Sequence, residues 1–125
     1  MFMEKNVLVL AYLGDSIYEF FIRKFLIEKN IAKVNDLQKE AINYVSASNQ
    51  AKFLKDMMDN SFLNEDELSI VYRARNHKSN HKPKYSSMIT YKNATGIEAL
   101  IGYLYLEGKL DRIKEIMNYI LESDL

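Results

Sequence analysis

Two nearly continuous apolar stretches, residues 7–22 and 94–106, constrain the fold of this chain more than any other feature of its sequence. Each contains an acid among apolar neighbours: Asp15 lies within the first stretch, which also includes Glu19, and Glu98 is the only charged residue of the second. Neither stretch offers a Lys or Arg nearby on the same face. A buried carboxylate is costly unless it is paired, protonated or bound to a cation. The two acids together therefore indicate a site for a hard divalent metal.

Apolar side chains recur at helical spacing along most of the chain. This periodicity predicts an all-α fold of about six helices, because no segment alternates apolar and polar residues as a strand would. In the first helix, apolar residues occupy nearly every direction around the axis, so we expect it to be buried on several sides or to pack against a second subunit. The predicted helices cover approximately residues 4–28, 34–45, 53–58, 64–76, 91–106 and 110–121.

Length and composition fit a single domain spanning residues 1–125. With 48% hydrophobic residues the chain can build one core, and no Pro-, Gly- or Ser-rich linker divides it. The absence of cysteine excludes disulfides and thiolate zinc sites and agrees with a reducing compartment. There is no leader-like N-terminal segment, and the apolar runs are shorter than the roughly 20 residues that cross a bilayer. We therefore expect a soluble, cytoplasmic protein that does not act in a membrane.

The expected metal site has a third candidate ligand, and three glycines lie close to the acids in the sequence. Helical geometry places Glu19 one turn beyond Asp15 on the same face. Carboxylate oxygens favour Mg²⁺ over zinc, with Mn²⁺ as a substitute. Glycine in a helix costs about 1 kcal/mol relative to alanine, so glycines beside the acids indicate close helix packing or ligand approach. Taken singly, each acid is also compatible with an exposed or helix-capping position. The glycines concerned are Gly14, Gly96 and Gly102.

Charge is distributed unevenly although the net charge is zero. No acidic residue lies between Glu67 and Glu98, and this segment carries six positive charges, so the rest of the chain sums to −6. Such a basic segment on an acidic body favours a polyanionic partner. A solvated connection that happens to be basic is the alternative. The six cations are Arg73, Arg75, Lys78, Lys82, Lys84 and Lys92.

At the level of motifs, the sequence resembles the ribonuclease III family. Residues 12–16 read Tyr-Leu-Gly-Asp-Ser, which is similar to the core of the family's signature helix. Residues 96–102 read Gly-Ile-Glu-Ala-Leu-Ile-Gly and are similar to its second acidic motif. The segments Val45-Ser46-Ala47 with Gln50-Ala51, and Arg73-Ala74-Arg75-Asn76, extend the likeness along the chain. The resemblance is closest to Mini-ribonuclease III, the form without a double-stranded-RNA-binding domain.

This resemblance implies a homodimer that cleaves double-stranded RNA with Mg²⁺, leaving 5′-phosphate and 3′-hydroxyl ends. Asp15 and Glu98 take the positions of the catalytic, metal-binding acids. The implied substrate is the 23S ribosomal RNA precursor, and a ribosomal protein that presents it is a further candidate partner. The implied RNA contacts are Arg73, Arg75, Asn76, Lys78, Lys82, Lys84 and Lys92, with internal pairing of Arg73 or Arg75 as the alternative.

The chain also departs from the full-length family pattern. Leu8, Ala11 and Thr95 stand where full-length ribonuclease III has acids, as is typical of the mini form. The number of metal ions per site therefore stays open. The same absences leave a second function to consider, namely a non-catalytic RNA-binding or ribosome-associated scaffold dimer that keeps the nuclease fold.

Overall fold

The computed structural model describes residues 4–31, 33–77 and 87–122, and within these ranges all regular structure is helical. The all-α prediction is confirmed. None of the described helices is long and apolar enough to cross a membrane. The six helices are α1 (Val7–Glu28), α2 (Val34–Val45), α3 (Ala47–Asp59), α4 (Glu65–Asn76), α5 (Met88–Leu106) and α6 (Leu110–Leu121).

Helix boundaries follow local capping chemistry. Asn64 and Glu67 form a capping box, in which each side chain accepts a hydrogen bond of 2.9 Å from the other residue's backbone N–H. Gly108 adopts a positive φ of 75° just after α5, as expected for a glycine that ends a helix. Helix α5 starts at Met88, three residues earlier than predicted, because the Ser87 hydroxyl accepts the backbone N–H of Thr90 and caps it.

Helix α5 lies at the centre of the molecule. It packs against α1, α3, α4 and α6. Every residue from 94 to 104 is buried except Glu98, which is partly exposed. A helix that is apolar on all sides must be enclosed by other helices. Within residues 94–104, Glu98, the only acid of α5, is therefore the one side chain that reaches the surface.

Helices α1 and α5 cross at two glycines with their backbones in contact. A Cβ added to Gly14 would overlap the carbonyl oxygen of Glu98, and one added to Gly102 would overlap the carbonyl oxygen of Leu10. The expectation of close packing is confirmed for these two glycines. It is wrong for Gly96, which faces α3 and α4 and would keep an added Cβ at ordinary contact distances of 3.5 Å or more.

A buried ion pair joins α4 to α6 away from this crossing. Glu67 is 1% exposed, and the Arg112 guanidinium donates to both of its carboxylate oxygens at 2.8 Å. The same guanidinium donates to the Phe62 carbonyl at 2.6 Å and lies over the Phe62 ring. Burial opposes the charge of Glu67, but hydrogen bonds from Arg112 and from the Asn64 backbone outweigh it and lower the pKa of this carboxyl. Glu67 is therefore a structural acid.

Candidate active site

The tight α1–α5 crossing brings the two predicted acids together. The carboxyl groups of Asp15 and Glu98 lie within hydrogen-bonding reach of each other. Asp15 was expected to be buried, but its side chain is exposed. Gly14 occupies the crossing itself, and a helix turns by about 100° per residue, so Asp15 points to the rim of the contact. Glu98 thus forms the floor of the site and Asp15 its edge.

Electrostatics in this pair are those of two acids competing for one proton. Burial, followed by the hydrogen bond and negative charge of Asp15, raises the pKa of Glu98 from 4.5 to about 8. The charge of Glu19 adds to the rise, and a hydrogen bond from Gln50 opposes it. Without a metal, the Glu98 carboxyl group therefore holds its proton more tightly than an isolated glutamate does. A cation between the carboxyl groups would relieve the repulsion that raises this pKa.

Gln50 of α3 is a site neighbour that the search for acids missed. Its side chain is only 3% exposed, and its amide lowers the pKa of the Glu98 carboxyl group. Gln50 shares the buried face of α3 with Phe53, Leu54 and Met57, at helical spacing. A lone amide on an otherwise apolar helix face was the signal that could have identified it.

Three further polar residues surround the pair. Glu19 makes an exposed i,i+4 ion pair with Arg23, with 3.5 Å between the charged atoms, and influences Glu98 through its charge. The Thr95 hydroxyl donates to the Tyr91 carbonyl one turn earlier in α5, so this buried hydroxyl is already satisfied. Tyr18 is fully buried one turn from Asp15 and donates its hydroxyl to the backbone of α2; burial and the charge of Glu98 raise its pKa.

The donor set fits a Mg²⁺ ion that keeps most of its water. Among residues 4–31, 33–77 and 87–122, no group of three or more His, Cys, Asp or Glu side chains is arranged to hold a metal. The contact between Asp15 and Glu98 nevertheless offers two hard carboxylates at one point. Mg²⁺ is commonly bound by one or two carboxylates with waters completing the octahedron. Zinc would require additional nitrogen or sulfur ligands.

The predicted RNA-contacting residues fall into three groups. Arg73 is partly buried in α4 and donates to the Lys5 carbonyl at 2.6 Å, so it makes an internal contact. Arg75 and Asn76 are exposed at the end of α4, and Lys92 is partly exposed in the first turns of α5. The remaining predicted contacts lie outside the described residues: Lys78, Lys82 and Lys84.

A polar groove of about 540 Å³ lies where α3, α4 and the beginning of α5 meet. Arg75 lines this groove together with Thr90 and Asn93. Lys52 of α3 lies in the same groove, although it falls outside the basic segment of the sequence. Only the fold could have placed this lysine with Arg75.

Comparison with known proteins assigns the family. Residues 8–109 match the Ribonuclease III domain. Mini-ribonuclease 3 of Brevibacillus brevis is 50% identical over 112 residues, which is 90% of this chain and 82% of that protein. Mini-ribonuclease 3 of Clostridium tetani is 44% identical over 119 residues, covering 94% and 78%. A crystal structure of a Fusobacterium nucleatum protein superposes with a TM-score of 0.87 at 32% identity, covering 96% of each chain. The chain therefore belongs to the ribonuclease III family of endoribonucleases, among its Mini-ribonuclease 3 members.

Proposed function

We propose that this protein hydrolyses double-stranded RNA with Mg²⁺, or Mn²⁺ in its place, bound by Asp15 and Glu98. The observation that carries the proposal is the contact between these two carboxyl groups at Glu98, the one residue from 94 to 104 that is not buried. Family membership supplies the reaction class, and the paired carboxyls supply a place for the metal. Without a cation, this pair is electrostatically strained.

The chemistry is an in-line displacement at phosphorus. A water molecule attacks the phosphorus, the bond to the 3′ oxygen breaks, and the products are a 5′-phosphate and a 3′-hydroxyl. The metal, when bound, lowers the pKa of the attacking water and neutralises charge that develops on the phosphoryl oxygens. Glu98 must first release the proton that it holds in the metal-free state, and Asp15 contributes the exposed carboxylate at the edge of the site.

Cleavage of end-labelled duplex RNA tests the proposal directly. We expect cutting in Mg²⁺ or Mn²⁺, none in EDTA, and at least a 100-fold loss of rate in Asp15→Asn and Glu98→Gln. Glu28→Gln is the matched control, because Glu28 lies in an exposed i,i+4 pair at the end of α1. Glu19→Gln decides the role of Glu19: an unchanged rate and metal dependence would remove it from the site.

We propose that the active form is a homodimer built on α1. The face of α1 that turns away from α5 exposes large apolar side chains, with Tyr12 at 86% and Phe20 at 61% exposure. Exposed aromatic residues clustered on one helix favour an interface with another chain. In a two-fold dimer, two Asp15–Glu98 sites would face one duplex, one for each strand. Light scattering after size-exclusion chromatography measures the assembly.

We further propose that the groove at the end of α4 contacts RNA phosphates. Arg75, Lys52 and Lys92 bring positive charge to the same end of α5. Each neutralised phosphate is expected to change the slope of log affinity against log salt by about 0.9, as on duplex DNA. Arg75→Ala should therefore flatten the slope by about one unit. A slope equal to that of the wild type would exclude Arg75 from the interface.

The proposed natural substrate is the 23S ribosomal RNA precursor. This choice rests on the resemblance of the sequence to Mini-ribonuclease III, and a ribosomal protein that presents the RNA is the proposed partner. The test compares cleavage of a precursor terminal helix, with and without ribosomal proteins, with cleavage of a generic duplex of equal length. Equal rates on all substrates would contradict the specific assignment and leave the duplex nuclease intact.

A further inference from the structure

We propose that a cavity between the beginning of α1 and the outer face of α4 binds an unpaired nucleobase of the RNA substrate. This inference rests on the proposed function, because it names RNA as the ligand. The cavity has a volume of about 730 Å³, which is within the usual range for small-molecule sites. It lies about 14 Å along α1 from Asp15. None of the described residues lines both this cavity and the groove that contains Arg75 and Lys52.

One face of α4 supplies most of the cavity wall. The α4 residues that line the cavity are three or four positions apart, so they lie on one side of the helix. They include Glu65, Leu68, Tyr72, Arg73 and Asn76. Ile70, Val71 and Ala74 occupy the opposite side of α4 and are buried in the core. The core therefore fixes the rotation of the helix that presents this face to the cavity.

The beginning of α1 forms the other wall of the cavity. Asn6 and Val7 line it, and the Asn6 side chain caps α1 by accepting the backbone N–H of Leu8 at 2.8 Å. The Arg73 guanidinium donates to the Lys5 carbonyl at 2.6 Å and joins this segment to α4. Hydrogen bonds thus hold both walls in place, and a ligand that enters a preformed site loses less affinity to ordering of the protein.

The side chains of the cavity match the two surfaces of a base. Tyr72 is 45% exposed, and its ring, together with Leu68 and Val7, gives the cavity apolar surface for the face of a base. Exposed aromatic rings are the surfaces on which proteins commonly stack unpaired bases. Asn76 and Glu65 are exposed polar side chains that can hydrogen-bond to the edge of a base.

The charges of the cavity favour a base over a phosphate. Among the described lining residues, Arg73 is the only Lys or Arg, and it already donates to the Lys5 carbonyl. The Glu65 carboxylate would repel a phosphate. It would instead accept a hydrogen bond from the exocyclic amino group of a base, as Asp and Glu do with cytosine. Because uracil has no amino group, we expect cytosine to bind more tightly than uracil.

His77, the C-cap residue of α4, adds an unpaired nitrogen to the cavity wall. Its Nδ1 is covered from solvent and has no hydrogen-bond partner among the described residues. Buried polar atoms without a partner are uncommon in folded proteins. Since Nδ1 is covered, the imidazole must turn before a ligand can reach it. The edge of a base would then give this nitrogen a partner.

Titration of the RNA-free protein with cytidine and with uridine in EDTA, followed in ¹H–¹⁵N spectra, tests the cavity without any cleavage. We expect cytidine to bind about 5-fold more tightly than uridine and to shift the backbone amide signals of Tyr72 and His77. Glu65→Ala should remove the difference between the two nucleosides. Asp66→Ala is the matched control, because Asp66 is also an exposed acid in the first turn of α4 but does not line the cavity. Its preference for cytidine should equal that of the wild type.

A second measurement uses duplex RNA with a short unpaired 3′ extension. In fluorescence anisotropy with EDTA, we expect an extension of cytidines to bind about 10-fold more tightly than an abasic extension of equal length, because of base stacking. Tyr72→Ala should remove this gain. Tyr105→Ala should keep it, because Tyr105 is also exposed but lies near the end of α5 and does not line the cavity. Urea denaturation verifies that the variants are folded.

The outcomes separate this inference from the proposed function. If the protein cleaves duplex RNA but neither nucleoside shifts a signal of α4, the base site is refuted and the nuclease stands. Equal affinities for cytidine and uridine, or a gain from the extension that persists in Tyr72→Ala, would also overturn the inference. If cytidine binding depends on Tyr72 and Glu65 in a protein that cuts no RNA, the base site stands and the proposed cleavage is refuted.

Discussion

Replacing Glu98 by glutamine should inactivate the nuclease and yet stabilise the metal-free protein. The pKa of Glu98 is 4.5 when the chain is unfolded and about 8 when it is folded. Between these values the native state binds more protons than the unfolded state, so stability falls as pH rises. The full shift corresponds to at most about 5 kcal/mol, and the partial exposure of Glu98 reduces the effect that we expect to about 2 kcal/mol. An amide cannot ionise and avoids this cost.

Urea denaturation in EDTA, at about pH 5 and about pH 9, measures the difference. We expect Glu98→Gln to match the wild type at the lower pH and to be more stable at the higher pH. Glu122→Gln, an exposed substitution at the end of α6, controls for the general loss of a carboxylate. Mg²⁺ should then stabilise the wild type at about pH 9 and leave Glu98→Gln unchanged. A Glu98→Gln protein that is less stable than the wild type at high pH in EDTA would refute the reasoning.

Four other substitutions test the remaining parts of the structure. Gly14→Ala should destabilise the fold by about 3 kcal/mol, because the new methyl overlaps the α5 backbone, whereas Gly96→Ala should be neutral or stabilising by up to about 1 kcal/mol; urea denaturation compares them. Arg112→Met should cost about 3 kcal/mol at neutral pH, because Glu67 stays buried without its partner. That loss should shrink as pH falls below 4.5 and Glu67 becomes protonated, whereas a constant loss would contradict the ion-pair account. Tyr12→Asp should weaken a dimer at least 10-fold in light scattering, and an unchanged assembly would exclude this face of α1.

The sequence was sufficient where one helix carried its own signal. Six helices, the Asn64 capping box and the glycine after α5 follow from spacing and local chemistry. The two acids were identified because each interrupts an apolar run, and the fold places them in contact. Patterns of this kind depend on a few neighbouring residues, so they can be interpreted before any tertiary structure is known.

What the sequence could not provide was which helix faces which. Gly96 looks like Gly14 and Gly102 in sequence, but it faces α3 and α4 because the crossing with α1 uses the opposite side of α5. The capping residue Glu67 also turned out to be the partner of Arg112, 45 positions away. Gln50 appeared only as part of a motif, since its contact with Glu98 requires α3 to lie against α5. Each of these depends on packing between distant segments.

The central position of α5 also determines when the site can move. Backbone amides exchange with solvent through openings whose free energy ranges from near zero at frayed ends to the full stability of the fold in the core. Ile97, Ala99 and Leu100 are fully buried on either side of Glu98. Their amides should therefore exchange only when the whole molecule unfolds. Glu98 would then keep its position through the local fluctuations that let RNA enter and leave, and a substrate would have to adapt to the site.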